Sequence, residues 1–413
     1  MPNMKVKEIL IINQPMGNRG DESAHRALVR SLNRTLPDVH VTILAFMDDR
    51  NAIGEFEVKH PLNKYVRFVF PHNLLAEPFA KFLVRHDMTA IGTRIHPILR
   101  QLKSYYQKAD LVLCAPGGIC MGGFQNWRHL YLLQLALLWH RPLAYYSRSI
   151  GPFPMSTRAN RKFKELSSTL LRSFDFLSLR DCKSKRLADE MNLKYVSAVD
   201  TAFLEKPVVE VPEELQKRLA KDYVVFVPNR LTWHYGYCNV SQYVVDDFYL
   251  QLMNHVAKVY ENCQIVMFPQ LCSLGNRGDY DYFRSLKTLS NQTNVYVVPD
   301  TYGSDIQQTI VSKAKMVIGA RYHTIVFAIN NEIPFLALSY EHKIQGLLED
   351  LGMSEHGVDI TEAFMDETQK SQTLRICNEK LNVLRSVRPD RSLAHQLATK
   401  CFNCFIQYVN NMS

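Results

Sequence analysis

Short runs of consecutive apolar residues alternate with longer stretches of helical spacing through the first half of the chain. Residues 9–13 form a β-branched run, and residues 22–36 then repeat apolar positions at helical intervals. Residues 41–46, 111–114, 143–146 and 176–179 read as further strands, and residues 130–139 as a helix. Strands that are apolar at every position need cover on both faces, so this half predicts a doubly wound parallel sheet.

Residues 205–219, with Pro207, Pro212 and a polar helix, interrupt the alternation and read as a domain edge. It then resumes, with strands expected at 224–227, 264–268, 295–298, 316–318 and 335–338. The reading is α/β, with two Rossmann-like domains: 1–205, then 206–387, with a helix in 388–413 returning to the first domain. Two such domains facing each other make a cleft, lined by loops at the carboxyl ends of the strands.

Composition sharpens this picture. A chain of 413 residues with 46% hydrophobic content is too long for one ordinary core and too apolar for extended disorder. Its net charge of +9 is uneven: residues 141–190 hold eleven Lys/Arg against five Asp/Glu. That excess suits an anionic small molecule or lipid headgroups. Nucleic acid is disfavoured, because no recognition-module signature accompanies the charge. The nine cysteines show no regular spacing and fit a reducing compartment; Cys401 and Cys404 read as helical thiols. Residues 1–8 lack a signal-peptide apolar region, and no apolar run reaches a bilayer span, so a soluble chain with at most peripheral membrane contact is expected. The acidic pairs Asp48-Asp49 and Asp246-Asp247 lack partners at metal-binding spacing, and neither metal nor cofactor is expected.

Six segments at strand ends carry the candidate chemistry. In the first, Gly17 and Gly20 allow close backbone approach, while Asn18, Asp21 and Ser23 stand at a helix start. Its pentapeptide Gly17-Asn18-Arg19-Gly20-Asp21 recurs at Gly275-Asn276-Arg277-Gly278-Asp279, a chance recurrence by the mismatch of the flanks. The second is Gly117-Gly118, a ligand approach or a helix-packing site. The third and fourth place Arg148 and Arg180 where strands end, suited to oxyanions through the planar guanidinium fork. The fifth, Gly319-Ala320-Arg321-Tyr322-His323-Thr324, sets a cation and a titratable imidazole at a helix start, where anions are attracted. The sixth, Ser339-Tyr340-Glu341-His342-Lys343, follows the next strand.

Together these segments resemble the polysaccharide pyruvyl transferase family: Gly-Asn-x-Gly-Asp-Glu, Gly-Gly, Ser-Ile-Gly-Pro, Arg-Asp-x-x-Ser, Arg-x-His and Ser-Tyr-x-x-Lys, in order from Asn18 to Lys343. The resemblance implies a glycosyltransferase-B-like fold and transfer of a pyruvyl group from phosphoenolpyruvate to a glycan sugar as a ketal. It implies a donor site of Arg180, Arg321, His323 and Lys343, with His323 and Arg321 catalytic. Asn18, Asp21, Gly117, Gly118 and Arg148 are then expected on the acceptor or cleft side. The resemblance also implies lipid-linked acceptors at the cytoplasmic membrane face, where residues 74–84, with Phe79 and Phe82, are the candidate contact. Two departures stand out: Ala115-Pro116 precedes the glycine pair, and Arg148 is basic where the family is not.

Two other readings remain open. A sugar-nucleotide glycosyltransferase would use the Glu341/Glu349 pair, although solvent-facing helix charges explain that spacing more simply. A non-catalytic glycan-binding protein would use the aromatic loop Trp233-His234-Tyr235-Gly236-Tyr237.

Overall fold

The computed structural model describes residues 6–47, 56–69, 77–95, 97–234, 236–272, 278–290 and 292–412. Asp48-Asp49, Tyr235, Gly275-Asn276-Arg277 and the start of the 74–84 segment lie outside them. The chain divides into two compact units: Met1–Met16, Ala24–Leu204 and His395–Ser413 form the first, Gly17–Ser23 and Glu205–Ala394 the second.

The first unit runs β1 (Glu8–Ile12), α1 (Arg19–Thr35, its first turn counted with the second unit), β2 (His40–Met47), β3 (Asn63–Val69), α2 (Glu77–Arg85), α3 (Thr89–Ile95), α4 (Pro97–Lys108), β4 (Leu111–Cys114), β5 (Gly117–Met121), α5 (Trp127–Leu138), β6 (Leu143–Ile150), α6 (Arg158–Arg172), β7 (Phe176–Leu179), α7 (Cys182–Glu190) and β8 (Val196–Ser197). Its sheet is ordered β3-β2-β1-β4-β6-β7-β8, with β5 paired to β6 off that path. The side chains of β1 explain the two-sided cover. Leu10 and Ile12 enter one apolar cluster with α2, α4 and α5, while Ile9 and Ile11 enter another with the inner face of α1.

The second unit contains α8 (Glu213–Gln216), β9 (Tyr223–Val227), α9 (Gln242–Val259), β10 (Gln264–Met267), α10 (Asp279–Leu289), β11 (Val295–Val297), α11 (Ser304–Ser312), β12 (Val317–Gly319), α12 (Tyr322–Asn330), β13 (Phe335–Ser339), α13 (His342–Asp350), β14 (Gly357–Asp359) and α14 (Glu367–Leu384). Its sheet is ordered β11-β10-β9-β12-β13-β14, with every pairing parallel. The last helix, α15 (Ser392–Asn411), belongs to the first unit. There Phe405 packs edge-on against Tyr146 and Phe176, with ring centroids 5.4 and 5.3 Å away.

Counted within each unit, both sheets follow the order 3-2-1-4-5-6, once the spur β5 and the short β8 are set aside. Strand order therefore reverses between β1 and β4, and again between β9 and β12. Ligands of doubly wound sheets bind outside the carboxyl ends at such reversals.

Two strands go beyond the sequence reading. Gly117-Gly118 opens β5, with Gly117 opposite Arg148 on β6. β3 was not anticipated, because an edge strand reading Asn-Lys-Tyr-Val-Arg-Phe-Val, with Lys64 and Arg67 exposed, lacks a continuous apolar run.

Candidate active site

In the second unit, β12 ends at Gly319 and α12 begins three residues later, at Tyr322. A Cβ on Gly319 would stand 2.8 Å from Thr324 Cγ2, so glycine is what lets the first turn of α12 fold back against the strand. Arg321 is the N-cap residue, in extended conformation, and no side chain caps this helix. The start of α11 is closed instead: Ser304 N donates to Glu22 Oε1 at 2.8 Å. A helix start without a side-chain cap attracts an anion through its first-turn amides and dipole.

Arg321 is only 9% exposed, and burial alone would lower its pKa; the ion pair with Asp279 outweighs burial and raises it. Asp279 is held in turn by the backbone N–H groups of Gln270 and Leu271, at 3.0 and 2.9 Å. Its carboxylate therefore fixes the guanidinium from behind. The Trp233 ring covers another side, with its centroid 5.9 Å from Arg321 Cζ.

His323 lies in the first turn of α12, 5% exposed, with the Tyr322 ring edge-on at 5.0 Å. The first turn of α1 lies against it. A Cβ added at Gly20 would fall 1.9 Å from His323 Nδ1, a separation no pair of atoms tolerates. The same turn is fastened within this unit by Asn18, whose Oδ1 accepts from Gly20 N and Asp21 N. Arg19 donates to the Asp300 carbonyl and pairs with Glu22, each at 2.7 Å. Asp21 is buried, and its Oδ1 has no hydrogen-bond partner.

On the far side of β12, Glu341 precedes α13. It lies 3.0 Å from Lys343 Nζ and 3.6 Å from His234 Nε2. Burial pushes the Glu341 carboxyl up, but Lys343 and His234 together override this and hold it well below the usual carboxylate range. Glu341 is thus an interior anion, because the Lys343 ammonium and the His234 ring converge on it. The solvent-facing role expected for the Glu341/Glu349 pair holds for Glu349 alone.

The first unit uses its two candidate arginines differently. Arg148 is fully buried and donates to the carbonyls of Asn13 and Ala115, at 3.0 and 2.7 Å. It also contacts Cys120 Sγ at 3.1 Å. It thereby ties β6 to the ends of β1 and β4, and its Nη2 would stand 3.1 Å from a Cβ on Gly117. Gly118 has open space where a Cβ would sit. Arg180, also buried, reaches Asp200 Oδ2 at 2.5 Å and Ser149 Oγ at 3.1 Å. Asp181 does not pair with it; it caps α7 through Ser184 N at 2.9 Å. Two of the cations in the basic 141–190 segment are therefore internal.

Residues 18–342 match the polysaccharide pyruvyl transferase family. The chain belongs to the polysaccharide pyruvyl transferase family. It is a polysaccharide pyruvyltransferase, and Arg321 and His323 stand inside the matched span. A relative, the amylovoran biosynthesis protein AmsJ of Erwinia amylovora, is 20% identical over 95% of this chain and 98% of its own. In fold, the chain is similar to a putative UDP-N-acetylglucosamine 2-epimerase from Listeria monocytogenes (TM-score 0.59, 10% identity, 99% of this chain and 97% of that one). It is also similar to the UDP-GlcNAc 2-epimerase of Methanocaldococcus jannaschii in complex with UDP-GlcNAc and UDP (0.59, 11%, 97% and 99%). A trehalose-6-phosphate synthase, OtsA, is a further neighbour (0.53, 10%, 98% and 99%). The glycosyltransferase-B-like class, two parallel α/β domains, is the one observed.

Sequence reasoning about this pyruvyltransferase missed Asp279 and Asp200, the acids that hold Arg321 and Arg180. Asp279 closes the second copy of the recurring pentapeptide, dismissed as chance. That recurrence was the available signal: each Asp lies in the first turn of a helix, and Asn18 bridges to Leu271 beside the second copy. Among the described residues no three His, Cys, Asp or Glu side chains group as a metal site, and no helix is long and apolar enough to cross a membrane.

Proposed function

We propose that this pyruvyltransferase takes its pyruvyl group from phosphoenolpyruvate and closes it as a ketal over two hydroxyls of one glycan sugar. The observation that carries this is the turn from β12 to α12: an arginine oriented by a buried acid, and an imidazole, at a helix start with no side-chain cap. Phosphoenolpyruvate carries a carboxylate and a phosphate, and Arg321 with the α12 dipole suits one of these anions. Lys343, positioned by Glu341, suits the other.

The reaction forms two C–O bonds at C2 of the donor and breaks the C2–O bond to phosphate. One hydroxyl proton is matched by the proton gained at C3, and the other leaves with inorganic phosphate. His323 transfers one of these protons, and Arg321 stabilises charge as phosphate departs. Arg180, buried and occupied by Asp200 and Ser149, holds the framework of the first unit and leaves donor recognition to the cations of the second. Asn18, Asp21, Gly117, Gly118 and Arg148 support the framework: Asn18 accepts from backbone N–H groups, and Arg148 donates to backbone carbonyls and to Cys120 Sγ.

The acceptor is a lipid-linked glycan precursor met at the cytoplasmic face of the membrane. On α2, Phe82 is exposed, whereas Phe79 packs into the core, which leaves Phe82 for a peripheral contact.

The test incubates the protein with phosphoenolpyruvate and methyl β-galactoside, β-glucoside and N-acetyl-β-mannosaminide, following phosphate release and product mass. Ketal product with equimolar phosphate is expected. Consumption of a uridine nucleotide sugar, with phosphoenolpyruvate untouched, would overturn the proposal.

A further inference from the structure

The loop after β9 is rich in aromatic residues, and two of those described, His234 and Tyr237, are turned inward. Tyr237 is buried with its hydroxyl donating to the Tyr340 carbonyl at 2.8 Å, and His234 is buried against Glu341. Among the described side chains of this loop, Trp233 is the aromatic one left exposed, at 44%. It is nevertheless fixed. Its Nε1 donates to Asn229 Oδ1 at 3.3 Å, His234 meets it edge-on at 5.9 Å, and the Arg321 guanidinium lies near its ring. An exposed indole of set orientation, in contact with the arginine of the site, is a ready stacking surface.

We infer that the Trp233 indole is the platform on which a pyranose ring of the acceptor glycan rests beside Arg321, an inference that builds on the pyruvyl-transfer reading above. The chemistry selects a neutral sugar. The face of an aromatic ring carries partial negative charge, which repels a carboxylate or phosphate and attracts the polarised C–H groups of a pyranose. Trp233 therefore serves the acceptor, while Arg321 beside it serves the anionic donor. That contact sets the reacting hydroxyls next to the cation that holds the donor. Indole, being large and rigid, loses little side-chain entropy on binding.

Tryptophan emission reads this directly. Of the three tryptophans, Trp127 is 2% exposed and Trp139 half-buried, so the difference between the wild type and Trp233→Phe isolates Trp233. Methyl β-galactoside, methyl β-glucoside and UDP are each titrated, with and without phosphoenolpyruvate. At least one glycoside quenches the wild type saturably and leaves Trp233→Phe unchanged. In turnover, Trp233→Ala raises KM for the glycan at least about ten-fold while KM for phosphoenolpyruvate holds, and Trp233→Phe recovers most of the loss. The inference is overturned if no glycoside quenches, if only UDP does, or if Trp233→Ala weakens phosphoenolpyruvate as much as glycan. The last result would make the indole a mere packing partner of Arg321. Calorimetric binding of phosphoenolpyruvate separates the two proposals: its absence sinks the donor reading, whereas glycoside quenching bears on Trp233 alone.

Discussion

The two units share one strand order and each sets two cations on or just after a pair of neighbouring strands, yet they use those charges in opposite ways. In the first, Arg148 and Arg180 are buried and occupied by carbonyls, sulfur, a hydroxyl and an acid. In the second, Arg321 and Lys343 keep 11% and 14% of their side chains exposed, each steadied by one acid. Fold alone therefore says little about where an anion binds. What distinguishes the units is whether a strand-end cation is saturated by its own unit or only oriented by it.

Substitutions at the two kinds of position should diverge. The largest effect is expected at His323→Ala, with turnover at least about a hundred-fold lower and an unchanged urea midpoint. Gly20→Ala sharpens the point. In an ordinary helix this change is worth about 1 kcal/mol in favour of alanine. Here the new methyl displaces the His323 ring, so activity should fall sharply; an enzyme that keeps full activity would show that His323 need not sit where it does.

In the first unit the expected loss is stability. Arg180→Met leaves the Asp200 carboxylate buried without its counter-ion, a cost of about 3–5 kcal/mol in urea denaturation. Adding Asp200→Asn should recover part of it; a double variant no more stable than the single would mean that the pair does not hold the sheet edge. Phe405→Ala should cost a similar amount, about 3–5 kcal/mol, because a full ring leaves the cluster between Tyr146 and Phe176. Equal melting of this variant and the wild type would contradict the seating of α15.

The smallest effect is one of pH. Burial, with Arg26 adding to it, lowers the His25 pKa from 6.5 to about 3. The unfolded chain thus binds a proton that the folded chain refuses between those values. Stability is full above 6.5, falls as pH drops through that window, and is regained in part by His25→Gln. A variant with the same acid profile as the wild type would remove His25 from the account.

Much of the scaffold was legible because buried parallel strands are apolar at every position; 111–114 and 176–179 read directly as β4 and β7. Half-exposed β3 and glycine-led β5 lacked that signal. The turn carrying Arg321 and His323 was legible for the same reason, since it directly follows a strand. Its supporting acids were not. Asp279 is 42 residues from Arg321 and Asp200 is 20 from Arg180, so only the sheet order brings each pair together. Glu341 looked like a surface charge because nothing near it in sequence marks His234 as its partner.

The central claim is that the β12–α12 turn handles phosphoenolpyruvate, and single-turnover chemistry tests it most directly. Wild type and His323→Ala are each mixed with phosphoenolpyruvate and the glycoside panel, and phosphate release is followed alongside product mass. The account predicts one phosphate released for each ketal formed by the wild type, and neither from a folded His323→Ala protein. Equal product from both proteins, or product formed without phosphate release, would contradict it.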